Sequence, residues 1–273
     1  MTNKEEHLRS IIAGYGSCAV AFSGGIDSAL VLKIACEELR DNVLAVTGVS
    51  PSLSKGELAH ARSVAREFGA LHRCIDTPEF SDEQYLANTA NRCYHCKVNL
   101  YRTLLPVVKA EGFRQIVDGT NADDIRDYRP GTRAARMFEV HSPLMEANLT
   151  KADVRALAMK EKIPFWDKPA SPCLSSRVPT GTHISIKALA QIDAAEVSLR
   201  LHGFPFVRVR YHNDVARIEI PQEQIERLLD PALREDVVRI VKDVGFTFVT
   251  LDLQGYRPSG LVHFSHDGLI SLV

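Results

Sequence analysis

Ser23-Gly24-Gly25-Ile26-Asp27-Ser28 lies between the short apolar run Cys18–Phe22 and the stretch Ser28–Leu39. In that stretch Leu30, Val31, Ile34, Ala35 and Leu39 recur with the spacing of a helix face. A glycine pair between a buried strand and a helix suits an anion. Glycine lets the backbone approach a ligand closely and permits positive φ. The N–H groups at a helix start have no intrahelical partner, and the helix dipole adds positive potential there. Ser23 and Ser28 can donate hydroxyl hydrogen bonds to phosphate oxygens. Asp27 would repel a bare phosphate, so its expected role is to hold Mg²⁺, a hard cation that prefers oxygen. The plainer reading of the loop is a glycine turn capped by serine. Two other phosphate motifs fail. There is no Gly-x4-Gly-Lys-Ser/Thr, and Gly14-Tyr15-Gly16-Ser17-Cys18-Ala19 precedes its strand where a dinucleotide fingerprint would follow it.

Outward from the loop, Val43–Val49 reads as a second strand. Ser54 with Glu57 signals a helix start that Gly69 can end, and Leu71–Ile75 reads as a third strand. The alternation of strand and helix predicts a parallel, doubly wound α/β sheet. Ser81–Cys96 has weak periodicity. A helix is expected from about Lys97 to Ala110, with a possible kink at Pro106 and a stop at Gly112. A fourth strand, Gln115–Asp118, leads into the loop Gly119-Thr120-Asn121-Ala122-Asp123-Asp124. Thr150 with Asp153 starts another helix. Trp166–Thr182 has no periodicity, and the domain boundary is placed near its end, giving domains 1–180 and 181–273. The second domain reads as a small α+β unit. Its expected elements are a helix over Ile184–His202, strands over Phe206–Tyr211 and Val215–Ile220 joined at Asn213-Asp214, two helical stretches, and a strand over Phe246–Leu251.

Of 273 residues, 45% are hydrophobic and 25% charged, the balance of a water-soluble globular chain. A net charge of −1 provides no whole-molecule field for nucleic acid, so an RNA substrate would need a local basic patch. No apolar run approaches the ~20 residues that span a bilayer. Met1–Ser10 lacks the apolar core of a signal peptide. A cytoplasmic protein with reduced cysteines is the expectation.

Six cysteines need an account. Cys18, Cys36 and Cys74 sit in apolar stretches and are expected as core filler. Cys93-Tyr94-His95-Cys96 and Cys173 sit among polar and turn-forming residues. Thiolates are nucleophiles and bind soft metals. By spacing alone these three could be a redox pair with a bystander, a zinc site completed by a histidine such as His95, three ligands of a 4Fe–4S cluster with one iron left open, or unrelated thiols.

The loop, its place after the first strand, and the later Gly119–Asp124 loop resemble the PP-loop ATP pyrophosphatases. That resemblance implies attack of a substrate oxygen on the α-phosphate of ATP and departure of pyrophosphate. It also puts Ser50 near the adenine, and Asp123 and Asp124 near metal or ribose. A closer resemblance is to the LarE family. It is carried by Lys168–Thr182, by Asp127-Tyr128-Arg129-Pro130-Gly131, by Val207–Asp214, and by Asp252-Leu253-Gln254-Gly255-Tyr256-Arg257. LarE enzymes are sulfur transferases of nickel-pincer nucleotide biosynthesis, and relatives form hexamers. One form of the family gives up the sulfur of the cysteine matching Cys173. In the other, that cysteine and a Cys-x2-Cys hold a 4Fe–4S cluster whose open iron carries sulfide. Cysteine at all three positions resembles the cluster form.

Arg208 and Arg210 alternate with Val207, Val209 and Tyr211, so both are expected on one face of a strand, with the apolar residues toward the core. Paired guanidinium forks suit a phosphate. The plainer reading is the solvated face of an edge strand. The resemblance implies the phosphate of a pyridinium-dicarboxylate mononucleotide, with Arg177, Glu196, Lys97 and Arg257 as further pocket residues. The reaction it implies uses ATP and Mg²⁺ to adenylate a carboxylate, which sulfide then converts to a thiocarboxylate. Expected partners are a small nucleotide substrate, a sulfide donor and further copies of the chain, with no membrane or nucleic acid. Rival readings are a tRNA-thiolating or amide-forming PP-loop enzyme and a nucleotide or redox sensor without turnover.

Overall fold

The computed structural model describes residues 2–125, 130–169, 171–256, 262–264 and 270–272. In chain order the elements are α1 (Thr2–Gly14), β1 (Cys18–Ala21), α2 (Ile26–Leu39), β2 (Val43–Val49), α3 (Lys55–Glu67), β3 (Leu71–Asp76), α4 (Glu83–Leu86), α5 (Arg92–Ala110), β4 (Gln115–Val117), α6 (Pro130–Met137), α7 (Pro143–Glu146) and α8 (Lys151–Lys160). There follow α9 (Ile186–Leu201), β5 (Arg208–His212), β6 (Val215–Glu219), α10 (Pro231–Asp243), β7 (Phe248–Leu251), β8 (Val262–Phe264) and β9 (Ile270–Leu272). They form two compact units, residues 1–85 with 89–171, and residues 86–88 with 172–273. The loop of residues 172–180 thus belongs with the second unit.

The first unit is the expected doubly wound α/β layer. Its sheet is parallel throughout, in the order β3-β2-β1-β4. Side chains of a strand alternate between faces, and two cores sort accordingly. Cys18, Val20, Val43 and Ala45 pack with α1, α2, α3 and α8. Ala19, Ala21, Leu44 and Val46 pack with α5 and α6. Both faces of β1 and the first five residues of β2 are therefore buried, which explains their unbroken apolar runs. Ser54 accepts from the Glu57 N–H at the start of α3, and Thr150 and Asp153 form a reciprocal capping box on α8.

The strand order reverses between β1 and β4. Open α/β sheets bind ligands at such a point, beyond the carboxyl ends of the strands. The glycine loop after β1 and the Gly119 turn after β4 both emerge there.

Several expectations need correction. Cys74 is exposed, because β3 is an edge strand whose residues are only partly covered. Cys18 is buried and Cys36 half-buried, as core filler should be. The helix expected from Lys97 begins at Arg92, so Cys93 and Cys96 lie within its first five residues, and it runs on past Pro106. Helix α1 has no counterpart in the sequence reading. Long-range ion pairs tie it down: Lys4 to Asp153, and Arg9 to Glu37, Glu38 and Glu161.

In the second unit, β5 and β6 are antiparallel and β6 and β7 parallel, the smaller mixed α+β sheet expected. One face of the sheet packs Val209, Ala216 and Ile218 against Leu199 of α9 and Val237 and Val241 of α10. β8 and β9 form a separate antiparallel pair. Glu196, on α9, is fully buried. It receives Arg177 Nε at 2.9 Å and Nη2 at 3.1 Å, Arg200 Nη2 at 2.7 Å, and the Val209 N–H at 3.1 Å. It is no helix-surface residue. Removing one partner of a buried pair leaves an uncompensated charge, so Glu196→Ala should destabilise the second unit by about 3–5 kcal/mol. Urea unfolding followed by circular dichroism measures this, and a wild-type midpoint would show that Glu196 is dispensable to the fold.

Candidate active site

β1 delivers the chain to the loop with Phe22 N–H bonded to Val46 C=O at 2.8 Å. Gly24 has φ of 77°, and a Cβ there would lie 3.1 Å from Ala61 Cα, so the turn needs glycine both for its backbone conformation and for space. Gly25 is the N-cap of α2 and supplies no side-chain cap to the first-turn amides. The Ser23 and Ser28 hydroxyls are 3.2 Å apart, and Ser28 Oγ donates to the Gly25 carbonyl at 3.0 Å. The result is a glycine-lined helix start flanked by two hydroxyls.

Gly119 approaches the same helix start. A Cβ on it would sit 2.7 Å from Ser28 N and 2.9 Å from the Asp27 carbonyl carbon, both backbone atoms. Beyond it, Asn121 Nδ2 donates to Asp27 Oδ1 at 3.3 Å. Asp124, buried, accepts from the Asn121 N–H at 3.1 Å and so shapes the turn. The expected nucleotide residues Ser23, Gly24, Gly25, Asp27, Ser28, Gly119 and Asp124 thus form one connected group. Ser50 stands at the end of β2, its hydroxyl 2.9 Å from that of Ser52. Asp123 accepts from the Lys151 N–H at 2.8 Å.

Lys151 is the residue that the sequence reading missed. Its Nζ bonds Asp27 Oδ2, so the carboxylate expected to take magnesium already faces a cation. One signal was available. Lys151 occupies the first turn of a helix, where the dipole favours acids, and such a placement asks for a nearby anion.

Lys97 lies over the Tyr101 ring, 5.4 Å from its centre, and Tyr101 Oη donates to Asp118 Oδ2 at 3.0 Å. Tyr101 first, and then Asp118, raise the Lys97 pKa against burial, which lowers it. The ammonium therefore stays charged at the end of β4.

In the second unit, Arg208 and Arg210 share one face of β5, opposite Val209, as expected, but that face is not solvated. Both are buried. Arg210 binds Glu219 through Nε at 2.9 Å and Nη2 at 3.1 Å, and the Ser176 carbonyl through Nη1 at 2.7 Å. Arg208 bonds Tyr256 Oη at 2.9 Å and stacks 4.4 Å from its ring centre. Burial lowers the Arg208 pKa, and Arg177 and Arg210 push the same way. Arg177 and Arg210 both reach Ser176, Arg177 Nη1 at its hydroxyl, 3.1 Å away, and Arg210 at its carbonyl. Arg177 Nη1 also donates to the carbonyls of Pro172 at 2.5 Å and Cys173 at 3.2 Å, fixing the backbone under an exposed thiol. Arg257 lies outside the described residues, as do Asp127–Arg129 of the quoted motif.

Cys93 and Cys96 belong to the first unit and Cys173 to the second. Among the described residues, no group of three or more His, Cys, Asp or Glu could hold a metal ion. No helix among them is long and apolar enough to cross a membrane.

No family model matches the chain. It is 41% identical over 258 residues to the pyridinium-3,5-bisthiocarboxylic acid mononucleotide synthase of Lactiplantibacillus plantarum, covering 94% of this chain and 93% of that protein. The chain belongs to the LarE-like family of PP-loop ATP pyrophosphatases. An uncharacterized Synechocystis protein is 42% identical over 261 residues, covering 96% of this chain and 97% of its own length. A Methanocaldococcus jannaschii protein, also uncharacterized, is 30% identical over 238 residues, 87% of this chain and 90% of its own. Membership brings the α-hydrolase superfamily's enzymatic character and sulfurtransferase-like relatives.

Two measurements probe this geometry. Gly119→Ala forces a Cβ onto the backbone of α2, so calorimetric ATP affinity should fall by about 100-fold. Unchanged affinity would mean that the turn can retreat without consequence. Burial pushes the Cys18 thiol up to about 12 and the Cys36 thiol up to about 11, so both stay protonated well above neutrality. With iodoacetamide near pH ~8, mass spectrometry of metal-stripped protein should find Cys93 and Cys173 alkylated long before Cys18 and Cys36. Early modification of Cys36 would contradict its placement.

Proposed function

We propose that the chain is an ATP-dependent sulfur transferase that converts a carboxylate of pyridinium-3,5-dicarboxylate mononucleotide to a thiocarboxylate. The observation that carries this reading is the uncapped, glycine-lined start of α2, held against Gly119 at the switch point of the sheet. The end-to-end identity with the Lactiplantibacillus synthase supports the choice of substrate.

The first-turn amides and the Ser23 and Ser28 hydroxyls take the phosphates of ATP. A substrate carboxylate oxygen attacks the α-phosphorus. The bond to the bridging oxygen breaks, and pyrophosphate leaves with its electron pair. Asp27 offers hard carboxylate oxygens that fit magnesium, which would neutralise pyrophosphate charge. Lys151 occupies that carboxylate in the described structure. Were Asp27 to hold the metal, Lys151 would be left as a second positive charge for the phosphates. A sulfur nucleophile then adds to the acyl carbon, the carbon–oxygen bond to phosphate breaks, and AMP departs. Dividing one difficult substitution into two easier ones is the gain of the adenylate.

Arg208, Arg210 and Arg177 form the cationic face for the substrate phosphate, with Arg257 as a further candidate. Glu219 and Ser176 occupy three of the five N–H donors of Arg210 and aim the rest. Glu196 acts by holding Arg177, with its own oxygens already taken. Cys93 and Cys96, three apart in one helical turn, present two soft donors on one face of α5. With Cys173 they make the donor set that suits a 4Fe–4S cluster. Such a cluster, when bound, supplies transferable sulfide at an iron without cysteine, so the protein is not consumed. Assembly into a homo-oligomer, a hexamer, and a cytoplasmic location belong to the same reading.

The test is incubation of anaerobically purified protein with ATP, magnesium, sulfide and the dicarboxylate mononucleotide. AMP, pyrophosphate and a product with oxygen replaced by sulfur are expected. Cys173→Ala should still release pyrophosphate yet make no thiocarboxylate. Ammonia-dependent amide formation, or no AMP at all, would defeat the reading. Iron and sulfide analysis decides the cluster, and conversion of Cys173 to dehydroalanine would show that the residue is itself the donor.

A further inference from the structure

Asn88 sits just before the Cys93 helix in sequence but belongs with the second unit. It is fully buried, and its backbone holds a φ of 51°, in the left-handed region. Its side-chain amide donates to three carbonyls of one loop: Val178 at 3.2 Å, Pro179 at 2.8 Å and Thr182 at 3.0 Å. Its own carbonyl accepts from the Gly181 N–H at 2.9 Å, and the Leu86 carbonyl accepts from Ile184 N–H at 2.9 Å. The loop of residues 178–182 is thus closed around one asparagine. Short polar side chains tolerate the left-handed region, and the asparagine amide brings two N–H donors to the carbonyl acceptors.

This loop continues directly from the segment that carries Cys173. Leu174, Ser175, Arg177 and Val178 are buried between the thiol and the Asn88 contacts, so displacement at one end is transmitted to the other. Arg177 fixes the Pro172 and Cys173 carbonyls from the near side, and Asn88 fixes Val178–Thr182 from the far side. None of these bonds involves a residue of the Ser23–Ser28 loop.

We infer that Asn88 is a positioning residue for sulfur transfer: it sets the place of Cys173 through the 178–182 loop and has no part in adenylation. The inference rests on the function proposed above. Asn88→Gly keeps the left-handed backbone and deletes the amide. Asn88→Asp keeps the shape and turns a carboxylate oxygen toward carbonyl oxygens. Either variant that purifies folded suffices, judged by its circular dichroism and melting curve. In both, substrate-dependent pyrophosphate release at saturating mononucleotide should stay at the wild-type rate, any effect passed on through Arg177 falling on KM, while thiocarboxylate formation falls by roughly 100-fold, the scale of a small misplacement of reacting groups. The alkylation rate of Cys173, followed by mass spectrometry of its peptide, should change, while that of exposed Cys74 stays constant. Thiocarboxylate formation at the wild-type rate, equal loss of both half-reactions, or an unchanged Cys173 alkylation rate would overturn the inference. If the wild type itself makes no thiocarboxylate, the sulfur-transfer reading fails, and the alkylation rates still report whether Asn88 governs the thiol.

Discussion

The contact between Gly119 and the first turn of α2 is the constraint on which the nucleotide site depends. A parallel sheet that reverses its strand order leaves a gap between the two diverging connections. Here the gap lies beyond β1 and β4, and it is closed to backbone contact because residue 119 has no side chain. Closing it brings the Asn121 amide onto Asp27 and sets Asp123 against the Lys151 amide. One missing Cβ therefore joins three segments far apart in sequence. A phosphate-binding helix start is common in α/β proteins. In the proposed reaction, the carboxylate and the lysine assembled around this one would handle the charge on a departing pyrophosphate.

The second unit solves a different problem. The proposed phosphate-binding face gathers several arginines, but buried guanidinium groups repel one another and lose hydration. Glu196 and Glu219 offset both penalties, each gripping one arginine in bidentate fashion. Arg208 rests on the Tyr256 ring, a weaker attraction that suits a guanidinium well. The carboxylates hold positive charge in place against its own repulsion. They also explain why Glu196 is so deeply buried in a helix whose neighbouring core positions are apolar.

Local pattern made the central sheet and the nucleotide loop legible. Strand alternation, the glycine pair and the capping residues Ser54 and Thr150 act over a few residues, and the sequence displays them directly. What stayed hidden depends on partners far along the chain. Lys151 meets Asp27 across 124 positions, and Asn88 meets Val178 across 90. No periodicity encodes such pairs. Alternation correctly put Arg208 and Arg210 on one face of β5, but whether that face is wet depends on Ser176 and Tyr256, which come from elsewhere. The start of α5 escaped notice because Cys93–Cys96 is polar and its face is only partly buried. Cys74 failed in the opposite direction: apolar neighbours suggested a core, but an edge strand covers few of its residues.

The division into two units matches a division in the proposed chemistry. Adenylation needs hard groups, namely amide N–H donors, hydroxyls, a carboxylate and an ammonium, and the first unit supplies them around α2. Sulfur transfer needs soft thiolates, and one of the three lies on a loop of the second unit that the arginine network holds from beneath. Hard and soft demands conflict when crowded together, since cations that attract phosphate also stabilise thiolates and dull their nucleophilicity. Cys173 stays exposed while its backbone is bound by Arg177 and its following loop by Asn88, which fixes the sulfur's position without burying the thiol.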